Sequence, residues 1–165
     1  RTMVPSFTGW AAHKQPFAFS PAGQDYRDDG QRFATGTPNV PALAAGIEGV
    51  KTILEVTLPV IRQKSRRQTA LLIEEAQRAG LAVKSPLAGE RRGGHVALDV
   101  PDGYAVCQAL SAREIVVDFR PDAGLRVAPH FFNSDDEVCA AVRAIRSILD
   151  GGEHRRFLTE QKKPG

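Results

Sequence analysis

The sequence is poor in the residues that staple small or metal-dependent folds. It has two cysteines, Cys107 and Cys139, each inside an apolar helical pattern. A disulfide framework is therefore not expected; buried reduced thiols are, which suits a cytoplasmic protein. The four histidines, His13, His95, His130 and His154, share no ligand spacing with each other or with the cysteines. A zinc site wants pairs a few residues apart, so no metal site is expected. No stretch approaches the roughly 20 apolar residues of a membrane span, and no signal peptide is visible. Neither sign of charge dominates, with 22 basic against 19 acidic residues and a net charge of +3. That balance permits nucleic-acid or acidic-ligand binding and demands neither. What is present is 42% hydrophobic content in 165 residues, enough for one core with an extra segment. The chain opens on Arg1 rather than methionine, and a trimmed or partial protein is expected.

Residues 1–37 hold many Gly, Pro and turn residues and no sustained period, which a compact domain rarely tolerates unless the stretch packs against something else. Beyond them the signals are regular. Leu43, Ile47, Val50 and Leu54 keep helical spacing until Pro59. A second helix is predicted over 60–79, ended by Gly80. "LAVKS" and "GHVALDV" read as strands around the loop "PLAGERRGG", and "GYAVCQALSAR" as a short amphipathic helix. "EIVVDFR" and "GLRVAPH" read as two more strands joined by the turn "PDAG". The last helix carries Val138, Val142, Ile145 and Leu149 on one face, and opens with a capping box at Ser134 followed by Asp135, Asp136 and Glu137. The order ααββαββα, then a polar tail, implies a small α+β layer of sheet covered by helices.

Four stretches are candidates for chemistry. In "ATGTPNVPAL", Thr37 reads as a helix N-cap with Pro38 at the first position, and Gly36 permits close backbone approach. Such a helix start can hold an anion, although a plain capped helix has the same grammar. The basic run "RQKSRRQ" could grip phosphates, but acids follow it and no aromatics interleave, so a solvated helix face is expected. "ERRGG" reads as a loop leading into a strand. Trp10, in "GWAAH", is an aromatic in a segment with no period of its own, and reads locally as a packing residue. Arg126 sits alone in the apolar strand "GLRVAPH". An arginine there either snorkels to a surface ion pair or meets an anionic ligand.

Taken in order, "GWAAH", "RFATGTPNVPAL", "KS" in a long helix, "RRGGHVALDV" and "GLRVAPHFFNSDDEV" resemble the C-terminal part of kynureninases and of the kynureninase-like branch of the class V aminotransferase superfamily. The resemblance covers roughly residues 8–149. It implies a homodimer of the aspartate-aminotransferase fold type (fold type I), with pyridoxal phosphate (PLP) bound between a large and a small domain. It implies that Thr37, with Gly36 beside it, and Trp10 lie at the cofactor phosphate. It implies that Arg126 binds the α-carboxylate of the amino-acid substrate, for which a planar guanidinium is suited. On the same pattern, residues 1–37 are the trailing segment of the large domain, 38–153 the small domain with its connecting helix, and 154–165 a polar tail.

The departures matter as much. In the resembled family the Schiff-base lysine and the aspartate facing the pyridine nitrogen lie upstream of "GW". Only nine residues precede Trp10 here, none of them lysine, and Lys14, Lys51, Lys64 and Lys84 fall where the family places no catalytic group. No catalytic residue is expected in this chain, and an N-terminal large domain is expected to be missing from it. Ala11 stands where kynureninases often have an aromatic. "PHFFNS" is similar to aminotransferase-like relatives as well. The expected activity of the intact protein is hydrolytic Cβ–Cγ cleavage of kynurenine. An aminotransferase, a cysteine-desulfurase-like lyase or an epimerase is the alternative within the superfamily, and a basic nucleic-acid-binding module the alternative outside it. No nucleic acid and no membrane partner is expected.

Overall fold

A computed structural model describes residues 3–162. The chain divides into two compact units, Arg1–Glu55 and Val56–Gly165. The break falls in the last turn of the first long helix, whereas the sequence pattern suggested one near residue 37.

The first unit is built from turns. Short 3-10 turns at Trp10–Ala12, Pro16–Ala18 and Gly30–Phe33 lead into α1, Val40–Val56. Backbone bonds from Lys14 N to Asp25 O (2.9 Å) and from Arg27 N to Ala12 O (3.0 Å) draw the two halves together around the buried Ala12. The start of α1 corrects the expected cap. Asn39, not Thr37, caps the helix: its Oδ1 accepts from Ala42 N at 3.1 Å, and its carbonyl accepts from Leu43 N at 3.1 Å. Pro41 explains the shift. A helix capped at Thr37 would put Pro41 at the fourth position, whose N–H must bond the cap carbonyl. Capping at Asn39 puts Pro41 at the second position, where no N–H is required. Leu43, Ile47, Val50 and Leu54 keep their helical spacing and are exposed.

The second unit is a four-stranded antiparallel sheet with helices packed on one face. It contains α2 (Leu58–Arg78), β1 (Ala82–Val83), β2 (Val96–Asp99), α3 (Gly103–Ser111), β3 (Asp118–Arg120), β4 (Gly124–Val127) and α4 (Asp135–Gly151). The strand order is β1-β2-β4-β3. This is the α+β layer that the sequence pattern implied. Alternation along β2 and β4 sends Val96, Leu98, Leu125 and Val127 to the helix side, where they meet Leu72, Val106, Leu110 and Ile145 in one core. The opposite parity, Ala97 and Arg126 in register with Asp118, faces away from it. At the β3–β4 turn, Gly124 takes φ +94°, and a Cβ there would lie 2.4 Å from Leu98 O. Only glycine meets both conditions.

Of the residues expected as a polar tail, those described, 154–162, are instead part of this unit. Glu153–Lys162 forms a 3-10 helix against α3. His154 is buried, with Nδ1 3.2 Å from Ile148 O and Nε2 3.6 Å from Asp102 Oδ2. Among the described residues no helix is long and apolar enough to cross a membrane.

The capping box of α4 is formed as expected: Ser134 accepts from Glu137 N at 3.2 Å, and Glu137 accepts from Ser134 N at 2.6 Å. Ser134→Ala is expected to lower the stability of the second unit by about 1 kcal/mol, read as a shift of the urea midpoint at constant m. The backbone N–H of Ser134 holds the Glu137 carboxyl below its ordinary value. Bonds from Arg67 and then Gln68 do the same for Asp135. Both carboxyls are depressed in the folded state, so their stabilisation is complete above the ordinary carboxylate range and is lost as pH falls through and below it. Melting followed by circular dichroism between pH 7 and pH 3 should fall in that window, and to a similar extent in Ser134→Ala, which keeps the backbone N–H at position 134.

Candidate functional site

The lone strand arginine is accounted for by its place in the ladder. Arg126 on β4 lies directly opposite Asp118 on β3. Its Nη2 donates to Asp118 Oδ2, and Arg120 Nε stands 3.3 Å from the same oxygen. This bond, first among the causes, holds the Asp118 carboxyl below its ordinary range. Arg126 also lines a cleft of about 360 Å³ on the open face of the sheet, with His95, Val116, Val117, Asp118 and Ala128. The guanidinium thus has the ion-pair partner that one of the two readings required, and it also borders this cleft. Its side chain is 34% exposed, yet its Nε is buried without a hydrogen-bond partner. Val116, 92% exposed, and Phe132, 73% exposed, belong to a neighbouring groove of about 480 Å³ that continues to the start of α4.

In the first unit, the structure sets Trp10 beside Gly36, with Thr37 the next residue along the chain. Gly9 N donates to Ala34 O at 3.3 Å, and a Cβ on Gly9 would lie 1.4 Å from Thr35 O. That close approach sets Trp10 beside Gly36, whose Cβ, if it had one, would sit 3.8 Å from the indole Nε1. Thr37 follows directly, two residues ahead of the helix cap, so the group does not draw on a helix N-terminus. An indole N–H, a threonine hydroxyl and loop N–H groups form a donor set that suits phosphate oxygens. The group fits the phosphate of PLP on that ground. Phe17 and Phe19 pack on Trp10 with ring centroids 5.4 and 6.4 Å away. Phe19 reaches this place through a left-handed backbone, φ +46°.

The basic run behaves differently from the solvated face expected of it. Arg62 donates to Gly89 O at 3.0 Å and Arg92 O at 2.9 Å. Lys64 donates to Phe131 O at 2.7 Å, Arg67 pairs with Asp135, and Gln68 donates to Asn133 O at 2.8 Å. In "ERRGG", Arg92 is buried and donates to Pro86 O and Leu87 O at 2.8 Å each. These cations clamp the 86–92 loop and the start of α4 onto α2. Three basic groups of the run are thus engaged by carbonyls or by a carboxylate of the fold, which argues against a row of phosphate contacts along this helix.

Sequence reasoning gave Asp118 no role, weighed His95 only as a metal ligand, and did not foresee the contact of Phe17 and Phe19 with Trp10. Asp118 was within reach: "DFR", "PDAG" and "LRV" form a hairpin in which positions 118 and 126 fall opposite each other. The aromatic pair carried no such signal, because their meeting with Trp10 depends on the backbone of residues 15–19.

The second unit has the architecture of the small domain of fold-type-I PLP enzymes. A cysteine desulfurase from Thermococcus onnurineus NA1 superposes with a TM-score of 0.74 at 19% identity, over 89% of this chain and 40% of that one. A cystine C–S lyase variant with glycine covalently linked to its PLP cofactor gives 0.70 at 18% identity, over 86% and 37%. At the level of sequence, the model of the kynureninase C-terminal domain matches residues 61–145. The chain belongs to that family. A kynureninase from Bacillus thuringiensis subsp. konkukian (strain 97-27) is 28% identical over 160 residues, which are 93% of this chain and 37% of the relative. The chain thus spans a little over a third of the length of that relative.

Proposed function

We propose that this chain is the C-terminal part of a kynureninase-like, PLP-dependent enzyme, which in intact form hydrolyses the Cβ–Cγ bond of kynurenine to anthranilate and alanine. The family match over residues 61–145 carries this reading, and Arg126 beside an open cleft supports it. In this reading Arg126 binds the substrate α-carboxylate and fixes the orientation of the amino acid. Trp10, Gly36 and Thr37 hold the cofactor phosphate through their donors. When bound, PLP supplies the electron sink that stabilises negative charge developing on the substrate. The lysine and aspartate that such a cofactor needs belong, in this reading, to a large domain N-terminal to Trp10, and the enzyme works as a cytoplasmic homodimer with an amino acid as substrate.

The fold shared with cysteine desulfurases and C–S lyases, together with Ala11 in place of an aromatic, favours a second reading, a class V lyase acting on a smaller amino acid. Anthranilate fluorescence distinguishes the two. The full-length protein loaded with PLP is expected to turn over kynurenine and to release no sulfide from cysteine or cystine. The present chain alone is expected to release no anthranilate and to keep no PLP through gel filtration. Turnover of kynurenine by this chain by itself would overturn the placement of the catalytic groups in a separate domain; sulfide release without anthranilate would establish the second reading.

A further inference from the structure

The pairing of Arg126 has a consequence for how a carboxylate can reach it. A bidentate carboxylate binds a guanidinium along one of two edges, Nε with Nη2 or Nη1 with Nη2. Nη2 carries one N–H on each edge, and one of these two already donates to Asp118 Oδ2. The Nε/Nη2 edge is closed to ligands because Nε is buried without a partner. Nor is Asp118 tied elsewhere by a strong bond, its other cation, Arg120, standing 3.3 Å away. With side chains 34% and 41% exposed, the pair is of the half-exposed kind whose strength is small. Asp118 is thus a weakly held acid on Nη2, beside the Nη1/Nη2 edge that is left to a ligand carboxylate.

We infer that Asp118 is an exchangeable counter-ion of Arg126: it covers the guanidinium while the cleft is empty and leaves Nη2 when the substrate carboxylate binds there. This rests on the kynureninase-like reading. Two effects of Asp118 oppose substrate, and they share a sign. Its carboxylate competes for Nη2, and its charge repels an incoming carboxylate at the same place. In return it keeps a cation on the open face of the sheet from standing unpaired. Asp118 is accordingly a positioning residue that sets the affinity for the α-carboxylate and takes no part in bond cleavage. Exchange with a resident acid also favours ligands that present two carboxylate oxygens over those offering a single acceptor, since only the former replace the lost bond with a better one.

The test uses the full-length enzyme with kynurenine. Asp118→Asn retains a neutral acceptor of the same shape and removes the charge. It is expected to lower KM about two- to fivefold, the range of a half-exposed pair, with the change falling on KM rather than kcat. Asp118→Glu restores the charge and should return KM toward the wild-type value. Asp118→Ser serves as the second variant should the asparagine protein fold poorly, with the same expected direction. If Arg126→Gln raises KM while Asp118→Asn leaves KM unchanged or raises it, the counter-ion exchange is wrong and the carboxylate role of Arg126 stands. If Arg126→Gln leaves KM unchanged, the carboxylate role fails and the exchange fails with it.

Discussion

Arg126→Ala in the full-length enzyme is expected to lower kcat/KM for kynurenine at least about thirtyfold, with PLP content and fold preserved. The magnitude follows from a charge-assisted bidentate pair, worth about 2 kcal/mol at a site that is a third exposed. It sits near the lower end of what a desolvated pair loses on truncation, because water reaches part of the cleft. Arg126→Lys should rescue little, since a point charge cannot reproduce two parallel hydrogen bonds. Thr37→Ala should do the reverse, weakening retention of PLP in gel filtration more than it changes KM, because its proposed partner is the phosphate. The contrast between the two variants is informative because the residues lie in different compact units. An Arg126→Ala enzyme that sheds PLP or melts early, while binding amino-acid analogues normally, would make the Asp118 pair purely structural.

How far the sequence carried this reading depended on the range of each signal. The helices of the second unit were legible because their apolar residues repeat at helical spacing and their ends carry local grammar, as at Ser134–Glu137. The sheet was legible in kind, but β3 is shorter than its apolar run: Ile115–Val117 lie outside the strand, where Val116 lines the open groove. Arg126 was legible as an anomaly, and its partner as a hairpin position. The cap of α1 was misread because Thr37–Pro38 and Asn39 with Pro41 offer the same local pattern, and only the count to the fourth helical position separates them. The clamping role of "RQKSRRQ" was not legible. Its partners are carbonyls of residues 89, 92 and 131, and no side-chain pattern announces where a carbonyl will be. His154 belongs to the same class, buried through contacts with Asp102 and Ile148 that are remote from it or carried by backbone.

Gly9→Ala is the substitution expected to damage the proposed phosphate site most, and it does so without touching a ligand-facing group. Gly9 has φ −121° and ψ −176°, extended values open to any residue, so alanine meets no backbone penalty. The penalty is steric: its Cβ would lie 1.4 Å from Thr35 O, a backbone atom that cannot swing aside as a side-chain tip can. To admit the methyl, the 9–10 segment and the 34–36 segment must part, which breaks the bond from Gly9 N to Ala34 O and withdraws Trp10 from Gly36. Overpacking of this severity costs about 3 kcal/mol or more, beyond what a unit built from turns around Ala12 can absorb locally. The full-length Gly9→Ala enzyme is expected to lose PLP on gel filtration. In the present chain the same change should move the emission of Trp10, its one tryptophan, to that of a solvated indole. The melting of the second unit should stay at its wild-type temperature. Gly30→Ala is the control within the same unit: nothing lies within 4 Å of the added Cβ, and both readouts should hold. Full PLP retention by Gly9→Ala, with Trp10 emission shifted, would show that the cofactor phosphate is held without Trp10 and Gly36, and would remove both from the site.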